Sequence, residues 1–220
     1  MYHTILFDLD GTLTDSGPGI TNSVAYALKK WDIIENDMNK LKKFVGPPLD
    51  VSFAKYYGFS KEKCVQAIQY YREYYLTKGI YENRVYDGME ELLKWLRDTG
   101  RRVIVATSKP EPSAIHVLEY FQIDSYFDII AGATMDGSRV EKSDVIRYAL
   151  DRAGIRDLSG VVMVGDREND IQGAKANGLD SIGVLYGYGS REELEEAGAM
   201  QIAETVEDLR RCIGQPARKE

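Results

Sequence analysis

The sequence is poor in cysteine and histidine, which argues against several common kinds of site. Its 220 residues include two cysteines, Cys64 and Cys212, and two histidines, His3 and His116. Two cysteines far apart in the chain do not form a disulfide framework and suit a reducing compartment, so we expect a cytoplasmic protein. The shortage of both residue types disfavours a zinc centre and disfavours catalysis by histidine.

Long apolar runs and an excess of positive charge are also missing. No stretch approaches the roughly 20 apolar residues needed to cross a bilayer, and the opening MYHTILFDLDG is not typical of a signal peptide. Aspartate and glutamate total 35 against 28 lysines and arginines, a net charge of −7. We therefore expect neither a membrane nor a nucleic acid as partner. An acidic protein that handles anions needs a local device, such as a metal ion.

Short apolar runs alternate with helical patterns along most of the chain. The runs are continuous rather than alternating, which is typical of parallel strands buried on both faces. They cover residues 3–7, 102–107, 127–132, 160–165 and 181–186. The helical patterns cover residues 88–100, 112–122, 142–154 and 170–178, and Gly100, Gly154 and Gly178 are expected to end three of these helices. The alternation predicts an α/β fold, with a parallel sheet covered by helices on both faces.

The segment 16–84 interrupts this alternation, because it contains helical patterns with no apolar strand between them. We interpret it as an inserted, all-helical subdomain, with residues 1–15 and 85–220 forming the α/β core. Four tyrosines of this segment, at positions 70, 71, 74 and 75, have helical spacing. They could stack on a ligand, but such a stripe more often forms a core with its rim.

Chemically reactive residues cluster where the predicted strands end. Asp8 and Asp10 follow the first strand, Thr107 and Ser108 end the second, and Lys142 begins the helix after the third. Asp166 and Asp170 follow the fourth strand. Ligands of open α/β sheets bind at the carboxyl ends of strands, so these side chains should meet at one edge. Several carboxylates collected there would repel one another unless a cation lay between them. A hard divalent ion with oxygen ligands, Mg²⁺, is the natural candidate.

In their order and spacing these residues resemble the four motifs of the haloacid dehalogenase superfamily. The resemblance is carried by DLDGT at 8–12, Thr107 at a strand end, Lys142, and GDREND at 165–170. DGTLTDS, ATSKP and VGDREND are most similar to the phosphoglycolate-phosphatase-like branch, whose helical cap follows the first motif. The resemblance implies that residues 1–15 and 85–220 form a Rossmann-like catalytic core and that residues 16–84 form the helical cap. It also implies a Mg²⁺-dependent phosphatase that hydrolyses a small phosphate monoester.

The resemblance also implies roles for single residues. Asp8 would be the nucleophile that forms an aspartyl-phosphate, and Asp10 would be the general acid and then the general base. Thr107, Ser108 and Lys142 would bind the substrate phosphate. The metal would be held by Asp8, Asp10 (through its carbonyl) and Asp166, with Asp170 acting through water or as a support for a ligand.

Some assignments keep alternatives. Where the family often has Lys-Pro, this chain has Lys142-Ser143, so Ser143 could cap a helix and leave Lys142 in solvent. Lys109 and Arg139 could reach the substrate or lie exposed. The substrate could be 2-phosphoglycolate, a 5′-nucleotide or another small phosphomonoester. A phosphosugar mutase, which is disfavoured because no histidine follows the first motif, and a non-catalytic regulatory module are further alternatives.

Overall fold

The central feature of the fold is a six-stranded parallel sheet with the strand order β3-β2-β1-β4-β5-β6. The computed structural model describes residues 1–215. The strands are β1 (Thr4–Phe7), β2 (Arg102–Pro110), β3 (Ile129–Ala133), β4 (Val161–Gly165), β5 (Asp180–Val184) and β6 (Gln201–Ala203). All five neighbouring pairs are parallel. The structure confirms the predicted α/β class, a parallel sheet with helices on both faces.

Helices lie between the strands and in the segment that follows β1. They are α1 (Gly17–Lys29), α2 (Leu49–Tyr57), α3 (Lys61–Tyr75), α4 (Met89–Asp98), α5 (Glu111–Tyr120), α6 (Lys142–Arg152), α7 (Glu168–Ala176), α8 (Arg191–Ala197) and α9 (Val206–Gly214). Short 3₁₀ turns cover Met38–Phe44, Gly79–Tyr81 and Asp124–Tyr126. The predicted terminating glycines Gly100, Gly154 and Gly178 all have positive φ and follow α4, α6 and α7.

The central strands are buried on both faces, which explains their unbroken apolar runs. Every residue of β1 and of β4 is buried. One core cluster joins Leu6 of β1, Ile104 of β2 and Met163 of β4 to Val145 and Ala149 of α6. The backbone of these strands is therefore fixed by packing as well as by hydrogen bonds, and the residues that follow β1 and β4 start from rigid positions.

The chain divides into two compact units, one of Met1–Thr14 with the chain from Val85 onward, and one of Asp15–Arg84. The second unit contains α1, α2 and α3, and residues 15–84, all of them described, include no strand. Its two ends are joined, since the Asp15 N–H donates to the Arg84 carbonyl at 2.8 Å and the two side chains form an ion pair at 3.0 Å. That this unit acts as a cap stays a prediction.

The tyrosine stripe of α3 lies partly in the core of the second unit. Tyr71 and Tyr75 are buried and stack on each other with ring centroids 5.3 Å apart. Tyr70 packs edge-on against Trp31 at 5.4 Å. Half of the stripe is therefore packed inside this unit, as a core-and-rim arrangement requires.

Several element bounds differ from the sequence prediction by one to three residues, and one strand was missed; for example, β2 runs to Pro110 rather than ending at 107. The strand β6 was not predicted, because its three residues, QIA, are too few for a recognisable apolar run. Helix α7 begins at Glu168 rather than at 170. In the described part of the chain, no helix is both long enough and apolar enough to cross a membrane.

We predict that Leu6→Ala lowers the free energy of unfolding by about 2–5 kcal/mol, because it leaves a cavity beneath the central strand. Leu6 is fully buried, whereas Leu76 is about half exposed. The matched variant Leu76→Ala should change the stability by less than about 1 kcal/mol. Urea titration of the two variants measures both values, and equal losses would contradict the packing described for β1.

Candidate active site

The site begins where β1 ends, with Asp8 and Asp10 on either side of Leu9. The Asp8 N–H donates to the Val164 carbonyl at 2.9 Å, so pairing with β4 continues one residue past β1. The chain then turns, and the Leu9 carbonyl accepts from Leu13 N–H at 3.0 Å. Gly11 takes φ +87° in this turn, a conformation that favours glycine. Both carboxylates are therefore presented at the carboxyl edge of the sheet, and both are buried.

Lys142 lies at the start of α6 and reaches Asp8. Its Nζ lies 2.7 Å from Asp8 Oδ1 and 2.8 Å from Asp170 Oδ1, and donates to the Ala106 carbonyl at 3.2 Å. A Cβ at Gly173 of α7 would lie 2.8 Å from the Lys142 Cγ, so the glycine makes room for the lysine stem. The alternative in which Lys142 lies in solvent is wrong, because only 6% of this residue is exposed.

The environment of Lys142 keeps it charged. Burial alone would lower the pKa of its ammonium, but the carboxylates of Asp170 and Asp8 outweigh burial and raise that pKa. An ammonium that stays charged between two carboxylates can offset the charge of Asp8 and of an incoming phosphate.

Asp166 and Asp170 follow β4 and are almost completely buried. Burial raises the pKa of the Asp166 carboxyl well above its ordinary value, and the nearby Asp170 and Asp8 raise it further. Burial also raises the pKa of Asp170, to about 6, although the ammonium of Lys142 opposes this shift. The Arg167 N–H donates to Asp170 Oδ2 at 3.1 Å. Two buried carboxyls that resist ionisation indicate that a positive charge belongs beside them.

Two backbone segments close around Asp166, and sequence reasoning missed one of them. The Tyr188 N–H donates to Asp166 Oδ2 at 2.8 Å, from the loop after β5. A Cβ at Gly187 or at Gly11 would overlap the Asp166 side chain. The glycine spacing of YGYG at 186–189 was the available signal, since glycine allows close approach of backbone to a site.

Asp10 forms an ion pair with a second buried lysine, Lys109. Lys109 Nζ lies 2.8 Å from Asp10 Oδ1 and 2.8 Å from Asp10 Oδ2. Of the two alternatives for Lys109, exposure is excluded, because the residue is buried. Arg139, the other uncertain residue, donates to the Gly132 carbonyl at 3.1 Å and stacks over Tyr148 at 3.6 Å. The Arg139 guanidinium is therefore held by the end of β3 and by the Tyr148 ring of α6.

The predicted phosphate-binding residues lie near the end of β2, which runs to Pro110. Thr107 is buried, and its hydroxyl accepts from the Lys109 N–H at 3.2 Å. Ser108 is half-buried. Strand β2 pairs directly with β1, with Val105 opposite Phe7, so Thr107 and Ser108 lie beside the strand end that carries Asp8.

A divalent metal ion fits the residues at this edge. Asp8, Asp166 and Asp170 are buried, and one carboxylate oxygen from each lies within 4.8 Å of the others. Lys109 pairs with Asp10, and Lys142 pairs with Asp8 and Asp170. If all four carboxyls, Asp166 included, are ionised, they exceed these two ammonium groups by two negative charges. Oxygen ligands and a twofold negative excess are what a hard divalent cation requires. The Asp10 carboxylate is not part of this group of three.

The sequence is similar to proteins of one hydrolase family. The model of the family described as haloacid dehalogenase-like hydrolase matches residues 5–184. A 5′-nucleotidase from Pseudomonas aeruginosa is 46% identical over 88% of this chain and 87% of its own length. The tyrosine-protein kinase PtkA from Mycobacterium tuberculosis is 40% identical over 96% of this chain and 72% of its own length. Phosphoglycolate phosphatase 1 from P. aeruginosa is 28% identical over 97% of this chain and 80% of its own length.

The fold is also found in solved structures. The crystal structure of a predicted phosphatase from Clostridium acetobutylicum superimposes with a TM-score of 0.94 at 51% sequence identity. The match covers 97% of this chain and 98% of that one.

The buried carboxyls at this edge should make stability depend on pH. A carboxyl whose folded-state pKa lies above its unfolded value, about 4, contributes its full stability below that value. The contribution is lost as the pH rises through the folded-state pKa. For Asp170 this loss falls between about pH 4 and pH 6, and for Asp166 it extends to higher pH.

We therefore predict that Asp166→Asn raises the melting temperature of the metal-free protein at pH 7.5, by about 2–6 °C, or about 1–2 kcal/mol. Asparagine keeps a carbonyl that can accept from Tyr188 N–H but carries no charge. Addition of Mg²⁺ should raise the melting temperature of the wild type and leave that of the variant unchanged. Calorimetry in EDTA and in Mg²⁺ measures both effects. A metal-free variant that melts below the wild type would contradict the charge analysis.

Proposed function

Because the chain belongs to the haloacid dehalogenase-like hydrolase family and is a phosphatase, we propose that it hydrolyses small phosphate monoesters with Mg²⁺, through an aspartyl-phosphate on Asp8. The observation that carries this proposal is the pairing of the buried Asp8 carboxylate with the Lys142 ammonium at 2.7 Å. One oxygen of Asp8 is held by that bond, and the side chain starts from the rigid end of β1. A carboxylate held in this way suits nucleophilic attack.

In the first step the Asp8 carboxylate attacks phosphorus and the bond from phosphorus to the ester oxygen breaks. Asp10 donates a proton to the departing oxygen, so that the product leaves as an alcohol. Lys142 offsets the negative charge on Asp8 and on the phosphoryl group, whose oxygens Thr107 and Ser108 would bind. The roles fit an in-line displacement, in which attacking and leaving oxygens lie on opposite sides of phosphorus.

In the second step a water molecule attacks the aspartyl-phosphate, and Asp10 takes the proton from that water. The phosphorus–Asp8 bond breaks, inorganic phosphate forms, and the Asp8 carboxylate is restored. Asp10 thus regains the proton that it gave up in the first step, so the cycle balances. Asp8, Asp166 and the Asp10 carbonyl would hold Mg²⁺, with Asp170 in support, and the ion supplies neutralisation of the charge that builds up on the phosphoryl oxygens.

The identities favour a nucleoside 5′-monophosphate as the preferred substrate. The relative named 5′-nucleotidase is 46% identical to this chain, whereas the one named phosphoglycolate phosphatase is 28% identical. A preference for 2-phosphoglycolate, which the motifs alone favoured, becomes the alternative. Both substrates place a dianionic phosphoryl group on an alcohol oxygen, so the chemistry at Asp8 and Asp10 is the same.

A second candidate function is transfer of a phosphoryl group to tyrosine. The 40% identity with a tyrosine-protein kinase over 96% of this chain favours it. In that reaction Asp8 would take the γ-phosphoryl group of ATP and release ADP. The tyrosine oxygen would then attack the aspartyl-phosphate in place of water, giving its proton to Asp10 and restoring the Asp8 carboxylate. Incubation with ATP and a tyrosine-containing peptide tests this candidate, since transfer gives phosphotyrosine whereas hydrolysis gives inorganic phosphate.

The first experiment is phosphate release from nucleoside 5′-monophosphates, 2-phosphoglycolate, sugar phosphates and an activated aryl phosphate. We expect Mg²⁺-dependent release, with the largest kcat/KM for the nucleoside 5′-monophosphates. No release from any ester, the activated one included, would overturn the proposal.

We predict that Asp8→Asn lowers kcat by at least about 1,000-fold, since an amide oxygen cannot form the covalent intermediate. The matched control is Asp144→Asn, which changes a half-exposed aspartate of α6. The control should keep the wild-type rate. Near-wild-type turnover in Asp8→Asn, with an unchanged melting temperature, would refute the assignment of the nucleophile.

A further inference from the structure

Strand β2 ends in an irregularity that sets Lys109 apart from the regular sheet. Thr107 pairs with Gly132 and Pro110 with Ala133, so β2 advances three residues while β3 advances one. Ser108 and Lys109 are the two additional residues. Irregularities of this kind change the direction of side chains and are common beside active sites.

The backbone of Lys109 is fixed from three directions. Its N–H donates to the Thr107 hydroxyl at 3.2 Å. The proline at position 110 restricts it to extended conformations, because the proline ring excludes the helical region for the preceding residue. A Cβ at Gly132 would lie 2.7 Å from the Lys109 carbonyl oxygen, so this glycine is needed for the close approach of β3.

The ammonium group of Lys109 is also held in place, by the carboxylate of Asp10. Its Nζ lies at the same distance, 2.8 Å, from both carboxylate oxygens of Asp10. The side chains of the two residues are 5% and 10% exposed. A buried ammonium that donates to both oxygens prevents rotation of the carboxylate. Each oxygen retains a lone pair that could face a substrate or a water molecule.

We infer that Lys109 is a positioning residue for Asp10, which holds the carboxylate in the orientation that both proton transfers require. The inference rests on the proposed function, in which Asp10 transfers a proton in each step. The two lysines then have separate roles, since Lys142 contacts Asp8 and Lys109 contacts Asp10. Lys109 acts through Asp10 and needs no contact with the substrate.

The inference predicts which step slows when Lys109 is removed. With an activated aryl phosphate the leaving group needs no proton, so the first step should proceed at its normal rate. The second step still needs Asp10 to take a proton from water. Lys109→Met should therefore lower steady-state turnover by about 10–100-fold, part of the effect of general acid–base catalysis. The aspartyl-phosphate should accumulate.

The experiment is rapid-quench kinetics with the aryl phosphate and Mg²⁺. We expect Lys109→Met to release about one phenol per enzyme in a burst before slow turnover. KM should fall together with kcat, so that kcat/KM stays near the wild-type value, because the first step is unchanged. Lys94→Met is the matched control, because Lys94 is exposed on α4 and pairs with Asp98. It should behave as the wild type. Loss of turnover without a burst, or a raised KM with unchanged kcat, would overturn the inference and indicate a structural or substrate-binding lysine.

A double-mutant cycle separates failure of this inference from failure of the proposed function. In the Asp10→Asn background, Lys109→Met should lower turnover only slightly further, because the carboxylate that Lys109 holds is already lost. Additive losses would overturn the inference alone. Wild-type turnover in Asp10→Asn would overturn the role of Asp10, and that of Lys109 with it. Lys109→Arg, which keeps the charge, should recover part of the lost turnover if the fold is intact.

Discussion

The constraint on which this site depends is the burial of four carboxylates at the ends of two neighbouring strands. Each buried carboxylate loses hydration that is worth several kcal/mol in a protein interior, and carboxylates this close also repel one another. The strands β1 and β4 pair directly, so they bring Asp8 and Asp166 together despite the repulsion between the two carboxylates. The apolar core beneath them provides the free energy that makes such an arrangement possible. Two lysines offset half of the charge, and the rest favours a divalent cation.

The same constraint explains the small residues around the charged groups. Gly165 and Gly173 leave no side chain against Asp170 and the stem of Lys142, and a Cβ at either position would clash with those groups. Close packing removes water from the carboxylates, which raises the pKa of Asp166 and of Asp170. It also strengthens every ion pair within the site, because the local dielectric constant falls. The glycines are therefore part of the electrostatics of the site as well as of its packing.

Sequence reasoning could predict the residues that follow apolar strands, because parallel strands all end at the same edge of a sheet. That rule alone groups Asp8, Thr107 and Asp166 at one edge. It could not decide between the two environments offered for Lys109, since a lysine two residues past a buried threonine is either solvated or turned inward. The decision came from the irregular register of β2 against β3, which is a tertiary feature. The short strand β6 was missed for a similar reason, because pairing with β5 and not composition makes it a strand.

The one-residue spacing of the two aspartates acquires a physical meaning from their different lysines. Asp8 shares Lys142 with Asp170, so its charge is tied to the group that a metal ion would complete. Asp10 is held by Lys109, which belongs to the strand that carries Thr107. One aspartate is thereby coupled to the acidic cluster and the other to the end of β2. Leu9 between them is fully buried. Two aspartates two positions apart can differ in chemistry, as the roles proposed for Asp8 and Asp10 require, because the surrounding elements supply each with its own partner.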